Sequence, residues 1–213
     1  MGEPPRLAEE QLRALDRLTR VPGVERFYLA GGSAVAFHLG HRRSIDLDLF
    51  SREPTADLEA VRTSLVAALP EVEILAVSRV SLKLRVAGVL VDLVQYPYAT
   101  LTPPGPGPVG IAVAGLRDLA AMKLAAIARR GIRRDFWDLH AIVTSRIDLD
   151  DAIRAYREKF GRAEGDVYHV LRALTYFTDA EKDPILPEGL TEEAWQAIKT
   201  FFRAAASRLI GPA

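Results

Sequence analysis

The chain has 213 residues with 28 basic and 28 acidic side chains, so no global field draws it to nucleic acid or to a membrane surface. Its 49% hydrophobic content supports a sizeable core in one or two domains. The absence of cysteine excludes disulfides, thiolate metal sites and a cysteine nucleophile.

No apolar run reaches membrane-span length, and Met1-Gly-Glu-Pro-Pro-Arg6 lacks the apolar core of a signal peptide. The expectation is a cytoplasmic protein without a membrane partner. Apolar residues near helical spacing predict a helix over Leu7–Leu18, stopped by Val21-Pro-Gly23. Phe27–Ala30 reads as a short buried strand, and Gly31-Gly32 as the turn into a helix over Ser33–Leu39 closed by Gly40. Ile45–Phe50 reads as a second strand, and Asp57–Leu69 as an amphipathic helix capped by Thr55 and stopped by Pro70.

Three strands follow at Val72–Val77, Val80–Val86 and Val89–Gln95, the last two joined by a tight Ala87-Gly88 turn. Pro103–Pro108, a run of prolines and glycines, reads as a stiff connection at a domain boundary, with Val109–Val113 a further edge strand. Beyond Gly115 the apolar stripes are helical: Leu116–Ile127, Arg133–Val143, Asp150–Phe160, Gly165–Leu174 and Thr191–Leu209. The fold class is therefore α/β (α+β), with a mixed sheet over residues 1–114 and a helical domain over 115–213.

Asp46 and Asp48 carry the chemistry. On a strand they share one face about 7 Å apart, and two carboxylates beside buried leucines are costly unless a cation lies between them. A divalent metal holding nucleotide phosphates suits that place; a solvated strand face is the competing reading. Asp92, in the apolar run Val89–Val94, adds a third carboxylate if its strand lies beside Ile45–Phe50. One or two magnesium ions on Asp46, Asp48 and Asp92 would bridge triphosphate oxygens, with Asp92 able to take a hydroxyl proton. Alternatively Asp92 pairs with an arginine such as Arg85 across the hairpin. Gly31, Gly32 and Ser33 would let a phosphate approach the backbone at a helix N-terminus.

Gly31-Gly32-Ser33-Ala34 followed by Arg43-Ser44-Ile45-Asp46-Leu47-Asp48 resembles the first motif of the DNA polymerase β-like nucleotidyltransferases. Within that superfamily the chain resembles the AbiEii/AbiGii toxins of type IV toxin–antitoxin and phage-abortive systems, with Arg42 also in the usual place. A second block supports the resemblance: Leu116–Lys123, then Ala128-Arg129-Arg130 and Arg134-Asp135 through Asp138-Leu139, similar to that family's lysine helix and its Arg-Asp-x-x-Asp-Leu helix.

The resemblance implies an enzyme moving a nucleoside monophosphate from Mg–NTP to an acceptor hydroxyl, with RNA, the tRNA 3′ end in particular, as acceptor. It also implies a cognate antitoxin encoded nearby. Lys123 would contact nucleotide phosphate, Asp138 would orient Lys123 or substrate, and Ser44 would be functional. Against these stand a snorkelling Lys123, an Asp138–Arg134 pair within one helix and a turn-capping Ser44. Arg129, Arg130, Arg133 and Arg134 form the concentrated basic run, suited to an RNA backbone or to complementing a helix C-terminus. His38, His41, His140 and His169 read as structural. Transfer to a protein or to an antibiotic-like small molecule, or nucleotide binding without catalysis, remain open alternatives.

Overall fold

The computed structural model describes residues 7–53, 57–161 and 164–210, and the chain divides into two compact units, residues 1–115 and 116–213.

The first unit contains α1 (Glu9–Leu18), β1 (Phe27–Ala30), α2 (Gly31–Leu39), β2 (Leu47–Ser51), α3 (Leu58–Ala68), β3 (Glu73–Val77), β4 (Ser81–Val86), β5 (Val89–Val94), β6 (Gly105–Pro106) and β7 (Ala112–Val113). The strands form one mixed sheet in the order β3-β4-β5-β2-β1-β7-β6. β2–β5 and β1–β7 run parallel, and the other neighbours are antiparallel. The period of two separates the faces. Leu47 and Leu49 of β2, Leu82 and Leu84 of β4, and Val91 and Leu93 of β5 are buried, with α1 and α3 packed against this region of the sheet. Asp48 and Asp92 alternate with these leucines and valines and are left half-buried.

Three expectations are corrected here. Ile45 is 68% exposed and precedes β2, so the strand begins at Leu47 and Asp46 sits in the bend before it. The proline–glycine run is no linker: Gly105–Pro106 pairs with β7 as the sheet's outermost strand, a position where proline's missing N–H costs no ladder bond. β7 is consequently internal, and Val109, at φ 46°, lies in a 3-10 turn before it. Thr55 lies outside the described residues. The α3 cap is Asp57, whose Oδ1 accepts the N–H groups of Glu59 and Ala60 at 3.0 Å each.

The second unit is helical: α4 (Leu116–Arg129), α5 (Arg133–Ser145), α6 (Leu149–Phe160), α7 (Glu164–Ala173), α8 (Thr178–Glu181) and α9 (Glu192–Ile210). Phe136, Phe177, Trp195 and Phe202 form its aromatic centre, with ring centroids of Phe136 5.0–5.9 Å from the other three. A buried Lys159–Asp118 pair at 2.7 Å ties α6 to α4. Thr191 Oγ1 accepts the Ala194 N–H at 3.2 Å at the head of α9. Among the described residues no helix is long and apolar enough to cross a membrane.

Candidate nucleotidyl-transfer site

The site is built where β1 ends and α2 begins. β1 pairs with β2 so that Ala30 faces Asp48, and β5 on the other side of β2 sets Asp92 beside Asp48. Neighbouring strands lie about 4.8 Å apart, and aligned residues of a parallel pair share a face. Asp48 and Asp92 are thus adjacent on the half-buried face of the sheet.

Gly31 shows how tightly Asp48 is set. Its φ is +60°, a left-handed conformation that side-chain-bearing residues avoid. A Cβ there would also lie 2.0 Å from Asp48 Oδ2 and 2.9 Å from Asp48 Cβ. The glycine is required both for its backbone and for the carboxylate packed against it. It is the first residue of α2, so the expected turn is the helix's own opening, and the N-cap residue Ala30 offers no side-chain cap.

Asp46 is exposed, but its backbone carbonyl is anchored from three directions. Ser33 Oγ donates to it at 2.8 Å, and Gln11 Nε2 and Ser44 Oγ donate more loosely at 3.4 Å each. Ser33 is fully buried and spends its one hydroxyl proton on this bond. Its contribution is to hold the Asp46 bend against the first turn of α2. Ser44, 8% exposed, serves the same carbonyl.

Gln11 was not anticipated. It is 1% exposed, and its Oε1 accepts the Ala8 N–H at 3.0 Å while its amide reaches Asp46. A glutamine among the apolar positions of a predicted helix was the available signal, because a buried amide needs partners.

Asp92 faces Lys83 across the hairpin, with Nζ 3.4 Å from Oδ2. The cation is Lys83 rather than Arg85, which pairs with Glu73 at 3.5 Å. Among the described residues no three carboxylate or imidazole side chains are gathered as a metal cluster. The backbone brings the aspartates together; their side chains are not drawn in around one point.

In the second unit, Lys123 is buried between Asp138, with Oδ2 at 2.7 Å, and Asp135, with Oδ1 at 3.0 Å. Burial acts to lower the Lys123 pKa, and the charges of Asp138 and then Asp135 outweigh it, holding the ammonium above its ordinary value of 10.5. Lys123 does not snorkel, and Asp138 meets Lys123 rather than Arg134. Asp135 is 1% exposed and also accepts from Arg130 Nε at 2.9 Å.

The basic run is split. Arg133 donates to the Asp183 and Ile185 carbonyls and lies over the Trp195 ring at 5.7 Å, within the unit's own packing. Arg129 and Arg134 are exposed. Among the histidines, His38 Nε2 is bonded to the Ala114 carbonyl at 2.8 Å. His140 packs against Phe201 and Phe202, and burial lowers its pKa.

Comparison with known proteins agrees with this architecture. The fold is shared with MenT4, a nucleotidyltransferase toxin from Mycobacterium tuberculosis H37Rv, at TM-score 0.58 and 19% identity over 92% of this chain and 82% of that one. It is shared too with a protein of H. pylori provisionally named a nucleotidyltransferase, at TM-score 0.51 and 18% identity over 96% and 98%. An uncharacterized protein of Aquifex aeolicus (strain VF5) is 30% identical over 202 residues, 93% of this chain and 95% of that protein. Residues 13–208 match the model of the nucleotidyl transferase AbiEii toxin of type IV toxin–antitoxin systems, and the chain belongs to that family.

Proposed function

We propose that this protein transfers a nucleoside monophosphate from an NTP to an acceptor hydroxyl and releases pyrophosphate. The observation that carries this reading is the alignment of Asp48 with Asp92 beside the opening of α2. Carboxylates for a hard cation and a helix N-terminus for phosphate occupy one place.

The donor set fits magnesium, being carboxylate oxygen throughout. Asp46, Asp48 and Asp92 would hold one or two ions, once Asp92 exchanges Lys83 for metal. That pair is a weak obstacle: the Lys83 side chain is 50% exposed, and exposed ion pairs are worth about 0.2–1 kcal/mol. Bound magnesium would neutralise triphosphate charge and make the acceptor hydroxyl more acidic.

In this reading the first-turn N–H groups at Gly31, Gly32 and Ser33 bind the triphosphate, with Ser33 contributing its backbone while its hydroxyl anchors Asp46. The acceptor oxygen attacks the α-phosphorus, its proton passes to Asp92, and the α–β phosphoanhydride bond breaks to free pyrophosphate. Within residues 116–213 the 2.7 Å pair supports Asp138 as the group that positions Lys123. Ser44 acts through the Asp46 carbonyl.

The acceptor in this proposal is RNA, the tRNA 3′ end in particular, and the consequence is translation arrest held in check by a cognate antitoxin encoded nearby. The test is to incubate the protein with magnesium, each α-labelled NTP and a cell extract, then separate RNA, protein and small molecules. Label on RNA supports the proposal. Label on protein or on a small molecule moves the reading to another transferase, and Mg–NTP binding without any transfer reduces the chain to a nucleotide-binding module.

A further inference from the structure

We propose that a cleft in the helical unit, between the end of α4 and α7, binds the phosphodiester backbone of single-stranded RNA. The proposal rests on the transferase reading in giving its acceptor a holding site, within residues 116–213 alone.

The cleft encloses about 550 Å³, within the ordinary range of about 300–1,000 Å³ for ligand clefts. Arg129 and Arg130 line it from the end of α4, His169 and Arg172 from α7, and Tyr176 from the segment beyond. His169 and Arg172 are three residues apart on one helix, so they project from neighbouring positions on its surface. The cationic lining thus comes from two segments some forty residues apart in sequence, which is why the linear basic run does not reveal it.

Charge accounting leaves a surplus. Arg130 is matched by Asp135, with bonds of 2.9 and 3.2 Å, and the lining carboxylate Asp179 is matched by Lys182 at 2.6 Å. Arg129 and Arg172 are exposed and make no ion pair among the described residues. Two guanidinium groups are therefore available to an incoming anion, and their planar forks suit phosphate oxygens.

Tyr176, 53% exposed, presents a ring on which a base can stack, the usual complement to a cationic groove for single strands. Arg133 and Arg134 do not line the cleft. The surplus cationic surface of the cleft is Arg129 together with Arg172, one from the linear basic run and one from outside it.

The experiment is fluorescence anisotropy with a labelled mixed-sequence single-stranded oligoribonucleotide, without NTP or magnesium, over a salt series. Wild type, R129A/R172A and Y176A are compared, with thermal melts checking folding. Loss of two phosphate contacts predicts roughly tenfold weaker binding near 0.1 M salt, and a log–log salt slope shallower by about 1.4. Y176A should weaken binding with the slope unchanged. Equal binding by R129A/R172A and wild type, or no binding by wild type at low salt, overturns the proposal. Displacement by free ATP at its own concentration, or by polyglutamate as effectively as by unlabelled RNA, overturns the assignment to RNA. Because no turnover is measured, the outcome is independent of whether transfer occurs.

Discussion

Gly31 and Asp48 are in direct van der Waals contact, the carboxylate resting where any side chain on residue 31 would begin. The contact follows from topology: β1 ends at Ala30, its register partner is Asp48, and the chain turns into α2 at the next residue. Gly31→Ala therefore meets two costs, a strained φ and a collision with Asp48 Oδ2 at 2.0 Å. Strain of this type costs on the order of 1–3 kcal/mol. Transfer activity should fall by at least tenfold while the protein still folds, as read by steady-state kinetics beside a thermal melt. Near-parental activity in Gly31→Ala would mean that the Asp48 position does not matter.

Ser33 and Asp46 make the second dependence. Ser33→Ala removes the 2.8 Å bond to the Asp46 carbonyl and leaves only the two longer ones, from Gln11 and Ser44. A lost buried hydrogen bond costs about 1–3 kcal/mol. If Ser33 acts by positioning Asp46, the variant should need more magnesium for half-maximal activity, with a smaller change in KM for NTP. A raised KM for NTP at saturating magnesium would instead place the hydroxyl on the nucleotide.

Lys123 with Asp138 and Asp135 makes a prediction about stability and pH. Removing one member of a buried charge cluster costs about 3–5 kcal/mol, so Lys123→Met should lower the urea midpoint clearly at neutral pH. The Lys123 pKa is raised in the folded state. Its stabilisation is therefore fully present below the ordinary lysine value of 10.5 and is lost as pH rises through the higher folded value. The gap between wild type and Lys123→Met should stay constant from pH 7 to about 10 and narrow at still higher pH. A gap that closes near neutrality would contradict the charge assignment.

Much of this site is legible in the sequence because its parts are local. Gly31-Gly32-Ser33 and the alternation of Asp48 with Leu47 and Leu49 lie within one short stretch, and β2 does place Asp48 opposite its leucines. Asp46 departs from that pattern because pairing, not periodicity, decides where a strand starts. β1 stops at Ala30 opposite Asp48 and the β5 pairing starts at Leu47, so nothing holds Ile45 in the sheet. Lys83 was missed in favour of Arg85 because cross-strand partners depend on hairpin register. Proline and glycine composition disguised β6, since an edge strand tolerates residues that an inner strand rejects. The engagement of Lys123 by Asp138 and Asp135, and the meeting of Arg172 with Arg129, arise only from helix packing. The motif resemblance points to Asp138 beside Lys123, whereas the second carboxylate, Asp135, and the place of Arg172 leave no such trace.

If the aspartates beside α2 make this chain a transferase, activity depends on Asp48. Wild type and Asp48→Asn, matched in thermal melt, are given α-labelled NTP, magnesium and total RNA, and acid-precipitable label is counted. Wild type should incorporate label and Asp48→Asn should lose at least a hundredfold, which corresponds to about 2.7 kcal/mol of transition-state stabilisation. Equal incorporation by the two proteins would mean that Asp48 takes no part in transfer.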